Sequence, residues 1–406
     1  MTLKELKRLA ALAAALLCLA AWTAGQAELT PVSTEKNGKV SQTVWTDEAG
    51  NPAAGPEGYA TVRYSYKGDE TTEMYFDAED KPCECYGGYY GRKVTLDGKK
   101  RVIQIEYLDE EGDRMMNSMG YAMMTTSYYG FGEVRLVTYY GTNKKPVVVP
   151  SLGYASIYNE YSHKTLTSRT YRDAKNKPVD SAEGYAVVKQ KVNKKFQVIR
   201  IRYEHANGKP ATGPDGWYRC IKDRDDEGRI TSIKYYDENE ELTDRGADYA
   251  WEGREYQGDN TVLITRYDLA DNKVADASGI TTLVQEYKDD KVVKERFLDA
   301  QGLKTVNDIG VGTIVYGYDT AGRLETVTYQ DTEGNPAECS LGYAGYRDTT
   351  DENGLTVSRV YLGKDGLATA IAGGYSEIRY FYDDAGGLTA TRYYDPDGKQ
   401  VQREEE

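Results

Sequence analysis

The sequence predicts an all-β protein, a tandem β-hairpin repeat array with the form of an elongated solenoid or sheet spiral and about eleven repeats. A Gly-Tyr pair or a close variant recurs at intervals of 30 to 33 residues. An aromatic residue recurs at a second fixed position, and Asp and Gly separate short segments in which apolar residues alternate. Such a period is typical of repeat proteins, whose units bury their apolar faces against their neighbours.

The first element along the chain is a predicted signal peptide, residues 1–27. It begins with positive charges, continues through an apolar stretch from Leu9 to Trp22, and ends in small residues before Glu28. The apolar stretch is shorter than the ~20 residues that a bilayer span needs, so an uncleaved anchor is the weaker alternative. We therefore expect a secreted or cell-surface protein with no membrane span in the mature chain.

The remaining chain divides into an N-terminal cap with a partial repeat (28–57), eleven tandem repeats (58–402) and an acidic tail (403–406). Removal of residues 1–27 takes away three positive charges and one negative charge, so the formal charge falls from −14 to −16. Nucleic-acid binding draws on clustered Lys and Arg, and this composition argues against it. The chain contains 37 tyrosines and 41 glycines. This biased composition indicates internal repeats and argues against two or three ordinary globular domains.

Each repeat is predicted to form a β-hairpin followed by a connecting segment, which we call the leg. The Gly-Tyr pair opens a first strand, and an Asp-x-x-Gly turn follows, as from Asp319 to Gly322 and from Asp383 to Gly386. Asp can bond its own backbone in such a turn, and Gly accepts a positive φ. A second turn follows the second strand, and a recurrent proline after it predicts a leg at an edge or outside the regular sheet.

The strictest position of the repeat is the aromatic residue that ends the second strand. We predict that this side chain is structural and packs against its equivalents in the neighbouring repeats, as cross-strand aromatic pairs do. The repeat anchors are Tyr75, Tyr107, Tyr139, Tyr171, Tyr203, Tyr235, Tyr267, Phe297, Tyr329, Tyr361 and Tyr393.

The segment from Tyr316 to Tyr329 resembles the Tyr-Asp repeat of the RHS and wall-associated bacterial surface proteins. This segment and the family's repeat both contain a Tyr-Asp pair, a turn glycine and a closing aromatic residue in the same order. The resemblance covers the central part of nearly every repeat, but the unit here is lengthened to about 32 residues by the Gly-Tyr leg. It implies a surface-exposed β-sheet spiral, and it does not imply a toxin.

No residue breaks the repeat in favour of chemistry, and we predict no catalytic residue, no cofactor and no metal site. The two histidines, His163 and His205, occupy different repeat positions and suggest surface substitutions. The acidic turns leave calcium binding open as an alternative, although an Asp that caps its own turn explains them without metal. The cysteines after the signal are expected to be mostly free thiols.

Two functions remain from the sequence. In the first, a monomeric module binds an extracellular polysaccharide or protein by many weak contacts. In the second, the array is a structural spacer or shell with no ligand of its own. A carbohydrate-active enzyme is a distant third, because paired carboxylates would have to break the repeat in one place.

Overall fold

The computed structural model describes residues 29–244, 249–351, 354–382 and 388–402. Within these ranges the regular elements are 26 β-strands, and no helix is present. The predicted all-β array of tandem β-hairpins is thereby confirmed. Four predicted features lie outside the described residues: the signal peptide 1–27, the acidic tail 403–406, the Gly-Tyr variant at Asp248 and the turn from Asp383 to Gly386.

The chain forms two compact units. Unit 1 contains the residues up to Asn159 together with Thr170–Ala182, and unit 2 contains Glu160–Arg169 and the chain from Glu183 onward. The strands wholly within unit 1 are β1 (Thr30–Lys36), β2 (Lys39–Thr46), β3 (Thr61–Lys67), β4 (Glu70–Phe76), β5 (Gly91–Leu96), β6 (Val102–Leu108), β7 (Met123–Tyr128) and β8 (Val134–Tyr140).

The next two strands, β9 (Ser156–Ser162) and β10 (Thr165–Arg172), are divided between the units. The strands of unit 2 are β11 (Val187–Val192), β12 (Val198–Glu204), β13 (Arg219–Arg224), β14 (Ile230–Tyr236), β15 (Trp251–Gln257), β16 (Thr261–Tyr267), β17 (Thr282–Lys288), β18 (Lys291–Leu298), β19 (Lys304–Thr305), β20 (Thr313–Tyr318), β21 (Leu324–Gln330), β22 (Gly345–Thr350), β23 (Thr356–Leu362), β24 (Glu377–Tyr382), β25 (Leu388–Tyr394) and β26 (Gln400–Val401).

The hairpin of β20 and β21 shows how one repeat is built. The two strands are antiparallel, with Ile314 opposite the anchor Tyr329, and a β-bulge precedes the turn. The Gly322 N–H donates to the Asp319 carbonyl at 2.9 Å. The Asp319 carboxylate accepts the backbone N–H of Arg323 at 2.8 Å. The turn residue therefore satisfies its own backbone, as its sequence indicates.

Successive hairpins within each unit are joined edge to edge. The second strand of one hairpin pairs with the first strand of the next, as when Val327 of β21 lies opposite Tyr346 of β22. Directly opposed residues point to the same side of a sheet, so equivalent positions form columns that run from repeat to repeat. We call the side that carries the anchors the ladder face, and the other side the opposite face.

The proline leg leaves the regular sheet after the second strand. In the repeat of Tyr329, Pro336 forms only an isolated bridge with Gln330, and the next residue, Ala337, donates its N–H to the Tyr329 carbonyl at 3.1 Å. Because proline has no N–H to give a ladder, its place at the edge costs the sheet no hydrogen bond.

A third turn, which the sequence reading did not resolve, ends the leg. Gly342 donates its N–H to the Cys339 carbonyl at 2.9 Å, and Cys339 donates to the Tyr343 carbonyl at 2.8 Å. Gly342 has a φ of 83°, the conformation that favours glycine. The Gly-Tyr pair therefore closes a turn before it opens a strand. Some third turns also bond to the third turn of the preceding repeat, with a backbone N–H donating to a backbone carbonyl. These bonds run from Tyr86 to Glu57, from Ser118 to Gly87, from Ala182 to Leu152 and from Ser340 to Ile309.

The hydrophobic core lies between the ladder face and these third turns. One cluster joins Cys339 of a third turn to the anchor Tyr329 and to Val311 and Val327. The equivalent cluster in unit 1 joins Cys85 to Tyr75 and Val62. The leg thus covers the anchor end of each hairpin and leaves the turn end of the ladder face uncovered.

Candidate functional site

An aromatic ladder runs along the ladder face of each unit. It alternates the anchors with the aromatic residues of the Gly-Tyr pairs, so that one Gly-Tyr ring lies between two successive anchors. In unit 1 the neighbouring ring centroids are 4.3 to 6.3 Å apart along Tyr59, Tyr75, Tyr89, Tyr107, Tyr121, Tyr139, Tyr154 and Tyr171. The expectation that the anchors pack on one another directly is corrected by this interleaving.

In unit 2 the ladder has two aromatic segments with a gap between them. The first is Tyr185, Tyr203, Trp217, Tyr235 and Tyr249, and the second is Tyr329, Tyr343, Tyr361, Tyr375 and Tyr393. Between them, Ile280, Phe297 and Val311 are buried at ladder positions. Aliphatic side chains can replace rings there, because the position requires apolar volume.

One predicted anchor, Tyr267, is shifted by one position along its strand. In other repeats the residue after the anchor forms an isolated bridge, and here Tyr267 itself forms that bridge, with Lys273. The next residue, Val274, donates its N–H to the Arg266 carbonyl. Arg266 therefore occupies the anchor position. Its guanidinium lies 5.1 Å from the centre of the Tyr249 ring, whereas Tyr267 stacks on Trp251 at 3.9 Å on the opposite face. The β15–β16 hairpin is one residue shorter than the β20–β21 hairpin and has no bulge, so the next turn begins one residue after Tyr267, at Asp268. A count of the interval between the aromatic residues does not reveal this.

Burial assigns the ladder a structural role. Tyr75 is fully buried, and Tyr171, Tyr235, Phe297 and Tyr329 are also buried. The other anchors that occupy the ladder position are half-buried: Tyr107, Tyr139, Tyr203, Tyr361 and Tyr393.

The same burial affects the acidity of several ladder phenols. It raises the pKa of Tyr59, Tyr75 and Tyr139 above the usual range, and it raises the pKa of Tyr361 to about 12. Desolvation disfavours the phenolate, so these four phenols stay protonated further into the alkaline range than an exposed tyrosine does.

Nearer the hairpin turns, five tyrosines of a second column tie neighbouring repeats together, whereas Leu96, Val192, Arg224 and Thr350 occupy the same column in other repeats. The Tyr318 hydroxyl donates to the Val292 carbonyl of the preceding hairpin at 2.7 Å. The same bond, to a carbonyl 26 residues earlier, is made by Tyr66, Tyr128, Tyr256 and Tyr382. These tyrosines therefore have a structural role, because their hydroxyls join neighbouring hairpins.

Few of the described aromatic side chains are exposed. They are Tyr66, Tyr86, Phe131 and Phe196, with exposed fractions of 40%, 68%, 44% and 39%. The sequence could not divide the tyrosines between core and surface. In the described ranges most of them are packed, so a ligand groove lined by the anchors themselves is not available.

Two other columns on the ladder face change from repeat to repeat. One is the fifth residue after the Gly-Tyr aromatic, and the other is the residue two places before the anchor. In β11 to β14 these positions hold Gln190, Ile201, Lys222 and Ile233. From β17 onward they hold Gln285, Glu295, Tyr316, Val327, Asp348, Arg359, Tyr380 and Thr391. Val327 is buried in the core and interrupts the polar series. We call the six residues other than Val327 and Thr391 the polar row.

The polar row is internally ordered. Gln285 Nε2 and the Tyr316 hydroxyl each donate to one oxygen of Glu295 at 2.7 Å. Arg359 donates two hydrogen bonds of 2.8 Å to the Asp348 carboxylate. That carboxylate holds the pKa of Arg359 well above its usual value. Such fixed amide, carboxylate and phenol groups are the polar elements with which binding sites orient a ligand.

Tyr346 provides a half-buried ring beside the row, with the Arg359 guanidinium 4.0 Å from its centre. A cavity of about 520 Å³ opens against Tyr316 and is otherwise lined by residues between 288 and 293 and by 318–322. Its size is in the range of small-ligand pockets. The row therefore combines ring faces, hydrogen-bonding groups and an adjoining groove.

The other candidate groups lie apart from the row. Among the described residues, Cys83, Cys85, Cys220 and Cys339 are not joined in disulfides. Within the described ranges, no group of three or more His, Cys, Asp or Glu is arranged to hold a metal ion. A search of the same residues finds no helix with the length and apolarity needed to cross a membrane.

Neither a protein-family model nor a curated protein sequence matches this chain. Among solved structures, the crystal structure of TcdB2-TccC3-Cdc42 is 10% identical with a TM-score of 0.26, and the match covers 93% of this chain and 23% of that chain. A eukaryotic initiation factor is 8% identical with a TM-score of 0.20, covering 93% and 96% of the two chains. A porin-like protein from Bacteroides uniformis ATCC 8492 is 8% identical with a TM-score of 0.18, covering 82% and 93%. At these values the likenesses carry no argument about function.

Proposed function

We propose that the protein is an exported, non-catalytic repeat module that binds an extended glycan or protein ligand through the ladder face of unit 2. The observation that carries the proposal is the contrast between columns. The ladder repeats because packing requires it. The two columns of the polar row instead change from core side chains such as Ile233 and Val327 to the polar side chains of the row. Variable side chains on a constant backbone are what repeat proteins use to build binding surfaces.

The chemistry of the row favours a hydroxyl-rich ligand over an apolar one. Glu295 offers carboxylate oxygens as acceptors, and Gln285 offers an amide with both a donor and an acceptor. Sugar rings can stack on half-exposed aromatic faces while their hydroxyls meet these groups. A glycan is therefore the first ligand class to test, and a protein the second.

Three further elements belong to the same proposal. Residues 1–27 would direct export, as their order of charge and apolarity suggests. The Tyr-Asp motif from Tyr316 to Tyr329 would place the chain among RHS-type surface proteins, with a lengthened repeat. We also propose that it has no enzymatic turnover, because the carboxylates of the row, Glu295 and Asp348, lie in different hairpins and do not form the close pair that glycoside hydrolysis needs.

The alternative is a structural spacer or shell without a ligand. The packing of the ladder tyrosines favours it, because these rings serve the core and leave few exposed aromatics. The two functions differ in one measurable respect. Substitutions in the polar row matter to a binding module and should be silent in a spacer.

A test on an array of bacterial and host glycans and matrix proteins separates them. We expect the protein to bind a subset of the array, and Glu295→Gln combined with Tyr316→Phe to weaken that binding about tenfold, since hydrogen bonds to a charged group are lost. The matched control is Glu325→Gln with Tyr86→Phe, at two exposed positions. No binding of the intact protein to any array member would reject the proposal in favour of the spacer.

A further inference from the structure

The opposite face of unit 2 carries a concentration of positive charge in a chain whose net charge is −14. Residues 187–209 contain seven Lys or Arg and a single acidic residue, Glu204. Pairing of β11 to β15 gathers part of this charge on one side of the sheet. We call the resulting cluster the basic patch: Lys189, Lys191, Arg200, Arg202, Arg219 and Lys234.

The register places like charges directly opposite one another. Lys191 pairs with Arg200 across β11 and β12. Arg202 lies between Lys189 on one side and Arg219 on the other. Directly opposed like charges destabilise a sheet, so the fold gains nothing from the pair of Lys191 with Arg200.

Only part of the patch is neutralised within the protein. The buried Glu204 pairs with Lys189 at 2.7 Å and with Arg202 at 2.8 Å, and Glu240 pairs with Arg219 at 3.0 Å. Lys191 and Arg200 have no carboxylate partner among the described residues. Lys191 is exposed and Arg200 half-buried, so both charges remain available to a ligand.

Flat aromatic rings continue the same face beside the cations. Trp251 lies opposite Lys234 in the register and stacks on Tyr267 with an angle of 9° between the ring planes. Tyr236 lies opposite Arg219, whose guanidinium is 4.6 Å from its ring centre. Cations and ring faces are therefore arranged across neighbouring strands, which are spaced ~4.7 Å apart.

We infer that this face binds a linear acidic polysaccharide, one whose sugar rings carry carboxylates. The free cations at Lys191 and Arg200 would meet the carboxylates. The half-buried rings of Trp251 and Tyr236, whose faces already contact Tyr267, Lys234 and Arg219, would contact the sugar rings with their exposed parts. The site is on the other side of the sheet from the polar row. The inference does not depend on binding at that row.

Overall charge favours this polymer over denser polyanions. Nucleic acids and anionic membranes present closely spaced charges over a wide area, and the negative remainder of the chain would repel them. A uronate polymer has fewer charges per length and can meet the patch locally. Screening limits the repulsion from the rest of the surface to roughly 8 Å at physiological ionic strength.

Affinity measurements with the full chain test the inference. The probes are hyaluronan and polygalacturonate, with dextran as the neutral polymer, a DNA duplex, and vesicles of phosphatidylcholine with phosphatidylserine. We expect at least one of the two uronate polymers to bind, with affinity that falls as salt is raised, and no binding to the other three. Lys191→Gln with Arg200→Gln should weaken uronate binding about tenfold. Its melting temperature should not fall, because one opposed pair of like charges is removed.

The control is Lys364→Gln with Lys399→Gln, which makes the same change in net charge at two exposed positions outside the patch. Its uronate affinity should match that of the unchanged protein. Three results would overturn the inference: equal loss in both double variants, no binding to either uronate polymer, or patch-dependent binding to DNA or vesicles in its place. Failure of the array test in the polar row would leave these outcomes unaffected.

Discussion

Replacing Tyr75 by Ala is expected to lower the free energy of unfolding by about 3–5 kcal/mol, the loss that truncation of a large buried aromatic causes. The Tyr75 ring is fully buried and stacks on Tyr59 at 4.3 Å with an angle of 2° between the planes. It also contacts Cys85 of the third turn that covers it. Its removal opens a cavity between two repeats. Denaturant unfolding followed by circular dichroism measures the loss.

Tyr86→Ala is the matched control, because its ring is 68% exposed in the same part of the chain. It should leave the unfolding transition in place. Tyr203→Ala should behave like Tyr75→Ala, and Tyr393→Ala should cost less, since the last repeat has a neighbour on one side only. Unchanged unfolding of both Tyr75→Ala and Tyr203→Ala would show that the ladder is not the core.

Replacing Gly213 by Ala is expected to destabilise the protein by about 1–3 kcal/mol through overpacking. Gly213 begins a third turn, and an added methyl group would overlap the ring of the anchor Tyr203. No positive φ contributes at this position, so the cost is purely steric. The equivalent positions Cys85 and Val149 carry side chains.

The control for this substitution is Gly130→Ala, since Gly130 has open space around it and no positive φ. Shortening the ring as well, in the double variant of Gly213→Ala with Tyr203→Val, should cost less than the sum of the two single changes, because the methyl group then fills part of the cavity. Thermal unfolding of the four variants measures this coupling. Additive losses would mean that the turn does not lie on the ring.

The repeat and its turns could be predicted from sequence because they depend on local chemistry. Asp319 caps its own turn, Pro336 cannot join a ladder, and alternating apolar residues define a face. The position of Tyr267 could not be predicted in the same way. Its hairpin is one residue shorter than that of Tyr329, and the strand pairing shows that Arg266 holds the anchor position.

The repeat pattern that predicts the fold does not show which residues form the candidate sites. Gln285, Glu295 and Asp348 are unremarkable as single acidic or amide residues, and they form a row only when cross-strand register is known. The basic patch could have been predicted from the sequence. The net charge of the whole chain, −14, does not show a local excess of positive charge, whereas a count of charges over residues 187–209 does.

The most direct test of the central claim, that constant columns hold the array and variable columns bind the ligand, is the affinity of shortened proteins for the array ligand. Chains that end after Gly398, Gly334 and Gly208 retain all, half and none of the polar row. Each should keep a cooperative β-sheet transition, because repeats depend on their nearest neighbours. We predict a fall in affinity of at least about tenfold at each step, as multivalent contacts are removed. Equal affinity for the longest and the shortest chain would contradict the claim.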